Sequence, residues 1–269
     1  MPLVNLLVAF NGSDSSETAL RYAASLARGR GAHVTAILAH ATHDAFDTSS
    51  RWIPDAARAL LAEAKSSILT DVERRLEALR PQLVLGEALS FRTQAGRVDT
   101  VLAEVARGFD ALIVGQPMES DDDHVRLHPD KIALLSGRPV IVIPDGYDAA
   151  TPHSHAALAW DGGRAAARAL SDSLRLLEYE GRVSVLTVGK PLLLEEIETH
   201  LERHGIVSMH GGWPEGTDVA DAILGWCERH DPSLLVMGAY EHSKFREDLL
   251  GGHTAPILRK IRIPVLLSH

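Results

Sequence analysis

At 269 residues the chain is nearly twice a typical small α/β unit, and its 45% hydrophobic content with only 5% aromatics describes an aliphatic core of the kind found in parallel sheets covered by helices. The net charge of -9 is spread evenly, residues 1–150 carrying 15 basic and 20 acidic side chains and the remainder 12 and 16. No Lys/Arg run exceeds Arg74-Arg75 or Arg259-Lys260, and no apolar run reaches membrane-span length, so neither nucleic acid nor membrane is expected as a partner.

Taken in chain order, Leu6-Leu7-Val8-Ala9-Phe10 predicts a strand, closed by Asn11-Gly12. Residues 16–28 follow with apolar positions three and four apart, the period of a helix. Val34-Thr35-Ala36-Ile37-Leu38 predicts the next strand, residues 55–79 and 98–107 two further helices, and Ala111-Leu112-Ile113-Val114-Gly115 a strand. Arg138-Pro139 opens another, Val140-Ile141-Val142-Ile143. Residues 144–154, rich in Pro, Gly and Asp, have the composition of a linker.

Beyond the linker the same order begins again. Ala156-Ala157-Leu158-Ala159-Trp160-Asp161-Gly162 repeats residues 6–12 at an offset of 150, and each copy leads into a helix with Ala-Leu in register, Ala19-Leu20 and Ala169-Leu170. Val183-Ser184-Val185-Leu186-Thr187, Leu234-Leu235-Val236-Met237-Gly238 and Pro264-Val265-Leu266-Leu267 complete the second series. Strands alternating with helices predict a parallel sheet with helices on both faces. We place one domain at residues 1–145 and a second at 154–269. The N-terminus passes directly into a strand pattern and the single cysteine, Cys227, lies in an apolar helical pattern, which suits a core residue of a cytoplasmic protein.

The second copy carries Ala159-Trp160-Asp161-Gly162 after its first strand. Later it carries Gly238-Ala239-Tyr240-Glu241-His242-Ser243, then Gly251-Gly252-His253-Thr254 ahead of the last strand. With these residues in both halves, the chain resembles a tandem universal stress protein over nearly its whole length. The resemblance implies two doubly wound five-stranded parallel sheets of the adenine nucleotide alpha hydrolase-like type and a role in stress response. It also implies that the last strands of the halves, 140–143 and 265–267, satisfy within one chain the contact that family dimers make. A monomeric pseudo-dimer and a homodimer of tandem chains both fit.

Some relatives bind ATP through Gly, two residues, Gly, nine residues, Gly, then Ser or Thr. Here the pattern starts at Gly238, has Glu241 for its second glycine, resumes at Gly251 and has Gly252 for the hydroxyl residue. Thr254 followed by Pro256 predicts a helix start with Thr254 as N-cap, whose amides suit an anion. Lys244 and Arg246 on the same loop are offset by Glu247 and Asp248. Asp161 takes the place where the family has an Asp beside adenine or ribose; its other reading is a cap for the following helix. The candidate ligand site is therefore Asp161, Gly238, Gly251, Gly252 and Thr254, and the implied ligand is ATP or another adenine nucleotide. The alternative is a nucleotide-independent adaptor acting through protein contacts or a small apolar ligand.

In the first copy the aligned residue is Asn11, and Gly115 is followed by Gln116-Pro117-Met118-Glu119-Ser120-Asp121-Asp122-Asp123, an acid run that would repel phosphate. Three histidine spacings, His40 with His43 and Asp44, His124 with His128, and His200 with His204, lack the completion of a zinc site. No catalytic set is present in the pattern, so any hydrolysis would be very slow.

Overall fold

The computed structural model describes residues 3–40, 55–117, 127–148, 153–178, 180–190, 192–239 and 254–269. Strands β1 (Asn5–Ala9), β2 (His33–His40), β3 (Leu89–Ala95), β4 (Ala111–Gly115) and β5 (Val140–Ile143) alternate with helices α1 (Asp14–Arg30), α2 (Asp55–Leu83), α3 (Val98–Ala106) and α4 (Pro129–Ser136). The series then repeats as β6 (His155–Ala159), α5 (Arg164–Ser173), β7 (Arg182–Val188), α6 (Leu194–Arg203), β8 (Val207–Trp213), α7 (Val219–His230), β9 (Leu234–Gly238), α8 (Thr254–Lys260) and β10 (Val265–Ser268).

Helix α1 shows why these segments fold locally as they do. Ser13 caps its N-terminus by accepting from the Ser16 amide, Asp14 and Glu17 face the positive end of the dipole, and Arg28 and Arg30 the negative end. Gly31, at φ 64°, then closes the helix with its N–H on the Ala27 carbonyl.

The ten strands form one sheet in the order β3-β2-β1-β4-β5-β10-β9-β6-β7-β8. Each half is parallel throughout and has the same strand order; the halves meet antiparallel at β5 and β10. There Val142 pairs with Val265, Ile141 with Leu266 and Val140 with Leu267. Equivalent residues exchange places in this register, which gives the seam a pseudo-twofold through the Ile141–Leu266 pair.

Alternation along the strands feeds two cores. Leu6, Val8, Leu158 and Leu266 pack on one face of the sheet with α1 and α5, while Leu7, Ala9, Ala157 and Leu267 pack on the other with α3, α4, α7 and α8. Both cores run across the seam, which accounts for the continuous apolar strands of the centre. Polar ties reinforce it. Arg175 reaches Asp110 at 3.1 Å, and the Gln116 side-chain amide donates to the Leu258 carbonyl. Among the described residues no helix is long and apolar enough to cross a membrane.

Candidate functional site

In each half the chain winds outward in both directions from the central strand, so crevices open at the carboxyl ends of β1 and β4 and of β6 and β9. These topological switch points are where open α/β sheets receive ligands. Asp161 and Gly238 sit at the second of them, Asp161 just beyond β6 and Gly238 at the end of neighbouring β9.

Asp161 is exposed, and its Oδ1 accepts from the Gly163 amide at 2.8 Å. The N-cap of α5 is Gly163, two residues later, so Asp161 holds the turn before the helix and does not cap it. Asn11 does the same in the first half, accepting from the Ser13 amide at 3.0 Å and the Ser13 hydroxyl at 2.7 Å. Between acid or amide and helix stand Gly12 at φ 80° and Gly162 at φ 81°, a left-handed backbone that explains the glycine in both copies.

The two turns are covered differently. In the second half a Cβ at Gly162 would stand 2.9 Å from that of Leu192, and the Trp160 indole N–H donates to the Leu192 carbonyl at 2.7 Å. Leu192 and Leu193 remain 52% and 55% exposed, which leaves an apolar rim beside Asp161. In the first half Arg75 of α2 lies over Gly12 and its guanidinium donates to the Gly12 carbonyl. A cation thus occupies the position that Leu192 takes in the other copy.

Gly238 has a packing cause of its own. A Cβ there would stand 2.8 Å from the Ala165 Cβ and 2.8 Å from the Ala166 amide nitrogen, in the first turn of α5. Gly115 is its counterpart, where a Cβ would meet the Ser15 hydroxyl at 2.1 Å and the Ser15 carbonyl at 2.6 Å. Both glycines let a strand end pass across a helix start.

Thr254 opens α8, with Pro256 in the first turn where no amide is required. Gly251 and Gly252, with Glu241, Lys244, Arg246, Glu247 and Asp248, lie outside the described residues, as do the acid run from Glu119 to Asp123, His43, Asp44 and His124. His200 of α6 and His204 at its C-cap meet edge-on at 4.7 Å, and no metal-binding group of His, Cys, Asp and Glu occurs among the described residues. A cleft of about 630 Å³ opens at the seam, lined by Gln116, which directly follows β4, and by Asp145, Tyr147, Arg259, Lys260 and Arg262 among others.

Residues missed in the sequence are Leu192 and Arg75. The apolar run Leu192-Leu193-Leu194 after a Gly-Lys-Pro turn was a signal for the first; nothing local marks Arg75, which acts from another helix.

The chain matches the universal stress protein family over residues 4–121 and 214–269. A universal stress protein of Synechocystis sp. is 27% identical over 97% of this chain and 98% of its own. Among solved structures, a universal stress protein from Archaeoglobus fulgidus superimposes with a TM-score of 0.72 at 15% identity, covering 98% of this chain and 95% of that one. A protein of Pseudomonas aeruginosa, described as functionally unknown, does so with a TM-score of 0.54 at 18% identity, covering 99% and 92%.

Proposed function

The chain belongs to the universal stress protein family, and from that premise we propose that it is a stress-response binding protein whose second half takes an adenine nucleotide. The observation that carries this reading is the asymmetry of the two switch points. A carboxylate, Asp161, stands at the end of β6 beside the Gly238 end of β9, whereas the first half presents Asn11 next to a Gly12 that Arg75 covers. Asp161 is suited to accept from ribose hydroxyls or a base amino group, and the exposed Leu192 and Leu193 offer an apolar surface to the base. Gly251, Gly252 and Thr254 would contribute the phosphate end through backbone amides.

Domains at 1–145 and 154–269, joined through the β5–β10 seam, make a pseudo-dimer within one chain, and a cytoplasmic location suits the single buried cysteine. Calorimetric titration of the full chain with ATP tests the reading. Asp161→Asn preserves the turn, as Asn11 does in the first half, and is expected to weaken binding tenfold or more, about 1.4 kcal/mol. Undetectable binding to the parent chain overturns the reading. The second reading, a nucleotide-independent adaptor, is favoured by Glu241 and Gly252, which depart from the ATP-binding pattern; it then takes precedence.

A further inference from the structure

His153 lies where the chain re-enters the sheet after the connection between the halves, and it is only 3% exposed. Its Nε2 is 2.5 Å from the hydroxyl of Tyr22, a 1% exposed residue of α1. Tyr147, from the segment leaving β5, meets Tyr22 edge-on at 6.2 Å between ring centres, and the His153 ring lies 5.6 Å from that of Tyr22. Three rings from three stretches of chain therefore close the joint beside the seam.

A neutral imidazole suits this position, with the phenol donating to Nε2 and the ring proton on Nδ1. Nδ1 is buried, and the Ser233 backbone approaches the ring without completing a hydrogen bond. An imidazolium does not suit it, because among the described residues the charged and titratable groups about the ring are Tyr22 and Arg30 from α1, with Tyr147 packed against Tyr22, and no carboxylate is among them. The Glu178 amide donates to the His153 carbonyl at 3.2 Å, while its side chain is exposed. His155, two residues on, turns its ring to Ser184 and Trp226.

We infer that the Tyr22–His153 contact is a proton-operated latch on the joint: protonation expels the imidazole from its place against Tyr22 and frees His153 from α1, while the β5–β10 seam stays paired.

Burial pushes the imidazole down to about 4, against an upward pull from the Ser233 backbone and with a further downward push from Arg30. Burial pushes the Tyr22 phenol up, so it stays neutral across the same range. The folded value lies below the unfolded one, so the latch is fully closed above about pH 6.5 and weakens as pH falls towards 4. One proton taken up on opening raises the open population by about tenfold per pH unit in that window.

Amide hydrogen exchange by mass spectrometry on the intact chain, corrected for intrinsic rates, tests this. Between about pH 7.5 and about pH 5, peptides carrying Tyr22 and residues 153–155 are expected to lose protection about thirtyfold more than those of β5 and β10. His153→Gln keeps an amide towards Tyr22 without titrating and should flatten this profile. His155 is also held down, by burial, Arg182 and His230, but its contribution is common to both chains and cancels in the comparison. Tyr22→Phe removes the donor that favours the neutral ring and should move opening to higher pH. An unchanged profile in His153→Gln, or no pH dependence in the parent, overturns the latch. Should His153→Gln fail to fold, histidine NMR on the parent decides. A resonance titrating far below the others and shifted by Tyr22→Phe supports the latch, and its absence overturns it.

Discussion

Gly238 passes so close to Ala165 that a Cβ on the glycine would lie 2.8 Å from the alanine Cβ. An equally near neighbour in the same helix turn is backbone, the Ala166 amide nitrogen, which cannot turn away as a flexible side chain would. Gly238→Ala is therefore expected to destabilise the fold by about 1–3 kcal/mol through overpacking. Gly115→Ala, which meets the Ser15 hydroxyl and carbonyl more closely still, should cost at least as much. Urea unfolding of the two variants measures both, and a neutral Gly238→Ala would mean that β9 and α5 separate easily.

That pair also shows what sequence alone separates poorly. In sequence Gly238 reads as the start of a phosphate loop, yet Gly115 keeps the same close approach in the half whose following residues are acidic. Repetition made eight strands and the turn at Asp161-Gly162 legible, because central strands buried on both faces are unbroken apolar runs. β3 and β8 were not legible. As sheet edges they are covered on fewer sides and carry Ser90, Arg92, Gln94, His210, Gly211 and Gly212, which break both the apolar run and the alternation. Gly211 is itself a tertiary requirement, since a Cβ there would lie 3.2 Å from Leu186 and 3.4 Å from the Trp226 indole nitrogen. The apolar run at Leu192 is visible locally, but its cover over Gly162 joins residues far apart in sequence, so no local pattern says which turn it packs on.

Asp110 holds the start of the chain and the second half together. Its Oδ2 accepts from the Val4 and Asn5 amides at 2.8 and 3.0 Å, and its Oδ1 meets Arg175. Partial burial raises its pKa, but the two amides and Arg175 outweigh this and hold the carboxyl below its ordinary value. The stabilisation is thus present above the ordinary carboxylate range and is lost as pH falls through the folded value. Asp110→Ala should cost about 1–2 kcal/mol near neutrality, with a smaller acid sensitivity than the parent. Arg175→Ala, which removes the partly exposed ion pair and leaves the two amide bonds, should cost about 0.5–1 kcal/mol. Thermal melts across the acid range distinguish the two; equal losses would place the effect in the ion pair and not in the amides.

Cys227 faces the core from α7 at 6% exposure. Burial, with Glu228 adding to it, pushes the thiol up to about 12. The thiolate is the reactive form, so the folded chain should resist an aromatic disulfide reagent at mildly alkaline pH and react at once in denaturant. Rapid labelling of the native chain would contradict this burial and show that α7 opens readily.

The last prediction concerns Glu241, which stands where the family pattern has its second glycine. A carboxylate near a triphosphate is repelled by about 1 kcal/mol per close charge in water, and by several times that at the effective dielectric of a cleft. If ATP is the ligand, Glu241→Gly removes that repulsion and restores close backbone approach, tightening ATP about tenfold for each ~1.4 kcal/mol recovered. Adenosine, without phosphates to repel, should change much less. Gly252→Ser, which supplies the missing hydroxyl, should add to the gain for ATP and leave adenosine unaffected. Titration of the parent chain and both variants with the two ligands separates the phosphate contribution from that of the nucleoside. Equal gains for ATP and adenosine would place Glu241 against the base or ribose and away from the phosphates.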